Sequence, residues 1–260
     1  MNSSENYSSE SKTGMSGTCS LAIVIPAYNE SGRIIHTLYD IDEYISESTN
    51  PGLLNVIIVS DGSTDDTDIV VSNWIEKKSK NKKSFILISY SPNKGKGYAI
   101  REGFLKSNSD FVLYTDADGA SPIKEVNKLL YWTEHGFDVV CGSRIIKADD
   151  VKVEMGLKRR FTGLVFHLIL KFFNLADVKD TQCGFKLFRK DVVKKLAQAQ
   201  KCFNYSFDIE YLLLSKNYGY KIKEVPVNWS HVKGSKISLL QDSIKMLLEV
   251  LKIRFVYKYN

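Results

Sequence analysis

Cysteine is scarce: the 260 residues hold four, at Cys19, Cys141, Cys183 and Cys202, with no CxxC pair or other metal-ligand spacing. That argues against a zinc module or a disulfide framework and implies reduced thiols in a cytosolic setting. Long apolar runs are absent as well. No stretch reaches the roughly 18 uncharged apolar residues that a spanning helix needs. The opening MNSSENYSSESKTGMSGT is polar and serine-rich with no apolar centre. It is neither a signal peptide nor a membrane span, and a disordered leader is expected over 1–18. Charge of one sign is not in large excess either. A net charge of +6 suits a phosphate-bearing ligand or an anionic membrane surface, and equally a protein that is merely basic. No nucleic-acid partner is expected. Asn204-Tyr205-Ser206 and Asn228-Trp229-Ser230 match the glycosylation acceptor pattern, which is short enough to recur by chance.

What is present is a chain long enough for one substantial core, 43% hydrophobic and 25% charged, ordinary values for a soluble domain. Three apolar runs, LAIVIP (21–26), LLNVIIVS (53–60) and DFVLYTD (110–116), are rich in β-branched or aromatic residues and break off at Pro, Ser-Asp-Gly or Asp. SFILISY (84–90) and DVVCGS (138–143) are two more. Continuous rather than alternating apolar runs predict buried strands of a parallel sheet. Helical segments are expected at about 30–48, 65–80, 95–107 and 122–135, with Asp65-Asp66 and Pro122 at plausible helix starts. Strand alternating with helix predicts an α/β fold, and such sheets bind ligands beyond the carboxyl ends of their strands. AYNE, SDGSTDDT, NKGKGYA and DADG all fall there. Loop polarity alone does not explain this repeated use of Asp, Asn and Gly.

The second half changes character. KRRFTGLVFHLILKFFNLADV (158–178) reads as a helix apolar nearly all round, with one polar stripe of Arg160, Gly163, His167, Lys171 and Asn174. It fits a membrane interface, a buried core or a dimer contact equally. LLQDSIKMLLEVLKIRFVYKY (239–259) also predicts a helix, with Leu240, Ile244, Leu247, Leu248, Leu251 and Phe255 on one face and Lys245, Glu249 and Lys252 on another. Such a helix usually docks on its own domain, though terminal basic residues and tyrosines also suit a bilayer surface.

In FVLYTDADGASP, Asp116 and Asp118 would share one side if the strand ran on through them. Two adjacent carboxylates repel each other, and Mg²⁺ or Mn²⁺ between them would relieve that while leaving positions for substrate phosphates. The plainer alternative makes Asp118 a helix cap or turn former. Asp61 is equally ambiguous, as a turn residue or an acceptor for a nucleobase imide. Lys94, Lys96 and Arg101 surround the glycines of NKGKGYAIREG. Such a loop offers N–H groups and cations to phosphates, without the Walker spacing.

VIPAYNE, VIIVSDGSTDDT, NKGKGYAIREG, YTDADGA and GSR occur in the order found in family 2 inverting glycosyltransferases of GT-A fold. DTQCGFKLFRKDV, FDIEYL and VPVNWSHVKGSKIS resemble, more narrowly, the dolichyl-phosphate β-glucosyltransferases within it. The likeness spans about residues 20 to 256. It implies a GT-A, Rossmann-like, mostly parallel sheet flanked by helices over 19–236, followed by an amphipathic C-terminal helix over 237–260. It implies further that Pro26, Ala27, Tyr28 and Glu30 cup the nucleoside, that Asp61 reads uracil, and that Lys96 lies in the nucleotide site. Asp116 and Asp118 would take the diphosphate and metal, and Arg144 a phosphate. Gln182 would lie near sugar and acceptor phosphate, with Asp208 and Lys236 lining the same site. Related mannose synthases carry a glutamine two residues beyond the second aspartate. Ala120 stands here, so the metal would have fewer protein ligands. The glucosyltransferases usually have an N-terminal membrane anchor. None is expected in this chain, which leaves attachment to the apolar helices or to a partner.

The implied reaction transfers glucose from UDP-glucose to dolichyl phosphate with inversion, giving dolichyl β-D-glucosyl phosphate for protein N-glycosylation at the cytosolic face of the endoplasmic reticulum membrane. A phosphate monoester with second pKa near 6 is largely dianionic at pH 7 and needs no general base. The protein must position two anionic phosphates without letting them repel each other. Competing readings are a polyprenyl-phosphate mannosyltransferase using GDP-mannose, a transferase with a soluble acceptor, and a catalytically silent nucleotide-binding membrane adaptor.

Overall fold

A computed structural model describes residues 19–48, 54–154, 156, 178–232 and 239–259, with side chains of the last segment described from Lys245 onward. Each of the five expected strands forms: β1 (Leu21–Ala27), β2 (Leu54–Asp61), β3 (Phe85–Tyr90), β4 (Phe111–Thr115) and β5 (Val139–Ser143). Helices α1 (Ile34–Glu47), α2 (Thr67–Lys77), α3 (Lys96–Lys106) and α4 (Val126–Glu134) fall between them, the last preceded by a 3₁₀ turn at Ile123–Glu125. The second half adds β6 (Phe185–Arg189), α5 (Lys190–Ala199), α6 (Phe207–Asn217), β7 (Ile222–Pro226) and α7 (Leu239–Phe255).

The seven strands form one sheet in the order β3-β2-β1-β4-β6-β5-β7. All neighbours pair in parallel except β6, which runs antiparallel to both β4 and β5. The fold is therefore α/β with a mixed, mostly parallel sheet, as expected, and β6 is the reversal. Side-chain alternation along β1 divides the core. Leu21, Ile23 and Ile25 join α1, α2 and α4 on one face. Ala22 and Val24 join α3, α5 and α6 on the other. Both faces are covered, which is why the strands read as unbroken apolar runs.

α7 docks on its own domain, and its inward face differs from the one expected. Val250 and Ile253 are buried against Cys202 and Ile209. Leu248 stands 55% exposed and Phe255 67% exposed. Met246, Val250 and Ile253 form a second apolar side beside the one expected, and the contact with Cys202 and Ile209 selects it. Glu249 turns to the body of the protein, accepting from Asn204 Nδ2 at 2.6 Å and from the Ser206 amide at 3.3 Å. Tyr259 donates to Glu210 at 2.7 Å and ties down the following tail. The expected helix at 158–178 lies outside the described residues except for Val178, which is buried.

Candidate active site

The carboxyl ends of β1, β2 and β4 bring most of the expected residues to one edge of the sheet. Asp116 follows β4 directly. Its backbone N–H donates to the Gly184 carbonyl at 3.2 Å, continuing the pairing with β6. Gly184 is required here, since a Cβ at that position would collide with both carboxylate oxygens of Asp116. Asp116 Oδ1 accepts from Lys96 Nζ at 2.6 Å and from the Tyr114 hydroxyl at 3.1 Å. Burial works to raise the Asp116 carboxyl, but the charge and hydrogen bond of Lys96 outweigh it and hold the group below the ordinary aspartate range.

Asp118 has the opposite balance. Burial and then the neighbouring Asp116 charge push its carboxyl up. Its Oδ1 accepts from the Ala120 amide at 3.1 Å, so it closes a turn as the plainer alternative proposed. Turn formation takes one oxygen and leaves the acid under-compensated, which is the environment a cation would relieve. Among the described residues no group of three or more His, Cys, Asp or Glu is arranged to hold a metal. A pair of carboxylates nonetheless suits a hard divalent ion that completes its shell with water and phosphate oxygens. The donor set fits such an ion, and Asp116 and Asp118 are the residues that could hold it.

Lys96 owes its position to the loop before it. Gly95 has φ +103, a conformation open to glycine, and a Cβ there would strike the Phe203 carbonyl. Asp61 holds this loop: Oδ1 accepts from the Lys94 amide at 2.8 Å, and Oδ2 from the Gly95 amide at 2.8 Å and Asn93 Nδ2 at 2.9 Å. Asp61 is 2% exposed, and in this structure both oxygens serve the chain itself. Of the residues expected to cup the nucleoside, Pro26 and Ala27 end β1 and are buried, while Tyr28 is exposed beyond it. Glu30 presents no free carboxylate to a ligand. It clamps Arg33 through Nε and through Nη2, the latter at 2.7 Å. That hydrogen bond, despite burial, raises the Arg33 guanidinium, and the charges of Asp118 and Asp116 also reach it.

Further groups close the site from the second half of the chain. Arg144 gives Asp180 its backbone N–H at 2.9 Å, Nε at 2.8 Å and Nη2 at 2.7 Å. Nη1 is the guanidinium nitrogen outside that fork. Asp180 receives its own backbone support from Glu224, whose carboxylate accepts the amides of Lys179 and Asp180. Asp208, in the first turn of α6, pairs with Lys186 at 2.8 Å, the two side chains being 8% and 1% exposed. Burial pushes Asp208 up and Lys186 opposes it. Lys186 also donates to the Cys183 carbonyl at 2.7 Å, pinning the turn that carries Gln182 and Gly184. Gln182 itself reaches Met246 Sδ on α7 at 3.7 Å. Burial, followed by the charges of Asp180, Arg144, Lys186 and Asp116, places the Cys183 thiol at about 12. The thiol is fully buried and inert. Lys236 lies outside the described residues.

Arg33, Asp180 and Lys186 were not singled out from sequence. Two signals were available: an acid and a base three apart at a helix start, and a lone lysine inside the apolar strand FKLFR.

A family model for glycosyl transferase family 2 matches residues 22–197. The chain belongs to that family. It is 33% identical over 245 residues to a dolichyl-phosphate β-glucosyltransferase of Dictyostelium discoideum, covering 91% of this chain and 74% of the relative. It is 34% identical to the Saccharomyces cerevisiae protein of the same name over 251 residues, covering 91% and 75%. The human protein of that name is 30% identical over 251 residues, covering 93% and 77%. Among solved structures, glucosyl-3-phosphoglycerate synthase of Mycobacterium tuberculosis in complex with Mn²⁺, UDP and glucosyl-3-phosphoglycerate superposes with TM-score 0.67 at 20% identity, covering 92% of this chain and 81% of that one. That likeness is one of fold. In this family 2 chain the acid pair, Lys96 and the Asp61 loop all occupy the ligand edge of the sheet.

Proposed function

We propose that the chain transfers glucose from UDP-glucose to dolichyl phosphate with inversion, yielding dolichyl β-D-glucosyl phosphate for protein N-glycosylation. The observation that carries this reading is the acid pair at the sheet edge of a chain at least 30% identical, over nine-tenths of its length, to proteins bearing that activity as their name. Pro26, Ala27 and Tyr28 line the nucleoside. Asp61 shapes the uracil end by holding the 93–95 loop. Asp116 and Asp118 carry Mg²⁺ or Mn²⁺, which when bound supplies charge neutralisation for the departing diphosphate. Lys96 and Arg144 Nη1 balance the two phosphates, and the acceptor phosphate is the role assigned to Lys236. The acceptor phosphate is the nucleophile and loses no proton, so no residue is assigned as a base. Asp208, kept in place by Lys186, orients sugar hydroxyls beside Gln182.

The acceptor is a lipid, and the site is assigned to the cytosolic face of the endoplasmic reticulum membrane. No helix among the described residues is long and apolar enough to cross a bilayer. The outer side of α7 supports a surface contact: Leu248, Phe255 and Val256 are exposed there beside the exposed Lys252, the combination that anionic headgroups attract. One reconstitution tests the whole reading. Vesicles of phosphatidylcholine and phosphatidylserine carrying dolichyl phosphate are incubated with the chain and UDP-glucose or GDP-mannose. The chain is expected to sediment with the vesicles and to form glucosyl lipid from UDP-glucose. Mannosyl lipid in place of glucosyl lipid would reverse the donor assignment, and activity without sedimentation would remove the membrane contact.

A further inference from the structure

Asp116 is already occupied. Its Oδ1 holds Lys96 at 2.6 Å and Tyr114 at 3.1 Å, while the side chain as a whole stays 35% exposed toward the ligand edge. Asp118 spends Oδ1 on the Ala120 amide. A divalent ion arriving alone therefore finds a second cation seated on one of its two ligands, and no third acid among the described residues. We infer that Lys96 is a resident counter-ion in the metal's place on Asp116, so that metal enters together with the donor's diphosphate and not ahead of it. This inference rests on the nucleotide-sugar reading above and adds a binding order to it.

The chemistry gives a reason for the exchange. Magnesium and manganese sites with one or two carboxylates depend on substrate phosphates to complete the coordination shell. A diphosphate brings those oxygens, and it also offers Lys96 another anion. Lysine suits the exchange because its ammonium is a compact point charge on a flexible four-carbon stem, with no fixed fork to break. Lys96 is the first residue of α3, directly after Gly95, and its side chain remains 25% exposed, so a ligand at this edge can reach it. A lysine that served only packing would weaken every ligand when removed. A counter-ion has the opposite signature, because its loss favours metal alone.

The test is Mn²⁺ binding to the full chain, read by electron paramagnetic resonance of the free ion, with and without UDP. The wild type is expected to bind Mn²⁺ at least about tenfold more tightly when UDP is present. K96M is expected to bind Mn²⁺ alone about tenfold more tightly than the wild type, the scale of one unit charge removed at close range. Its further gain from UDP should fall below about threefold on the same scale. K96R, which keeps the charge, should bind Mn²⁺ alone no more tightly than the wild type, and D118N should lose the site in every condition. K96M binding Mn²⁺ alone no more tightly than the wild type overturns the inference. Should K96M fail to fold, the wild type decides alone: Mn²⁺ affinity equal with and without UDP overturns it. A wild type that binds no Mn²⁺ even with UDP removes the nucleotide-sugar reading itself, a separate result.

Discussion

D118N is expected to lower turnover of UDP-glucose on dolichyl phosphate by at least about a hundredfold, the usual cost of removing one group that stabilises charge in the transition state. The amide keeps the shape of the carboxyl and can still accept from the Ala120 amide, so the turn survives. What is lost is the anion. Burial and Asp116 already push the Asp118 carboxyl up, so removing its charge relieves repulsion in the ligand-free protein. The thermal midpoint should therefore stay within about 2 °C of wild type or rise slightly. The pairing of results is diagnostic: activity collapses while stability holds or improves. Turnover within about threefold of wild type would show that the acid does not face the diphosphate.

K186M carries the largest expected effect on stability. The Lys186–Asp208 pair is almost fully enclosed, and removing one partner of such a pair costs about 3–5 kcal/mol because the other charge stays buried without compensation. For a domain of this size that corresponds to a fall in thermal midpoint on the order of 10 °C. The pH dependence follows from the sign of the Asp208 shift. Burial pushes this carboxyl up and Lys186 opposes it. Without Lys186 its folded pKa lies further above the unfolded value. The folded state then binds a proton more readily than the unfolded chain, and the penalty applies above the unfolded value and fades as the carboxyl protonates. Denaturant titrations should show the gap between K186M and wild type narrowing as pH falls from neutral toward the ordinary aspartate range. The double variant K186M/D208N should recover most of the loss. A K186M protein within about 1 kcal/mol of wild type across that range would contradict the buried pair.

Much of the architecture was legible before any coordinates, for a physical reason. Strands covered on both faces must be apolar throughout, so LAIVIP and DFVLYTD announce themselves, and the polar residues at their ends mark the ligand edge. Asp116, Asp118 and Lys96 were expected at that edge, and they lie there. The reversal of β6 was not, because strand direction is set by long-range pairing with β4 and β5 and leaves no local periodicity. The partners of the polar residues were hidden for the same reason. Asp180 is 36 residues from Arg144 and Lys186 is 22 from Asp208, and spacing alone does not reveal such pairs. Glu30 shows the limit at short range: its expected place at the nucleoside gave no hint that its carboxylate pairs with Arg33. On α7 the face of Leu240, Ile244, Leu247, Leu248, Leu251 and Phe255 was expected to turn inward, whereas Val250 and Ile253 are the residues that pack on the domain.

The central claim is that a divalent cation on the acid pair carries the donor's diphosphate. Calorimetric titration of UDP into the full chain, with Mn²⁺ and then with excess chelator, addresses it most directly. Affinity should weaken by at least about tenfold, roughly 1.4 kcal/mol, when the metal is removed. Identical binding in the two titrations would contradict the account.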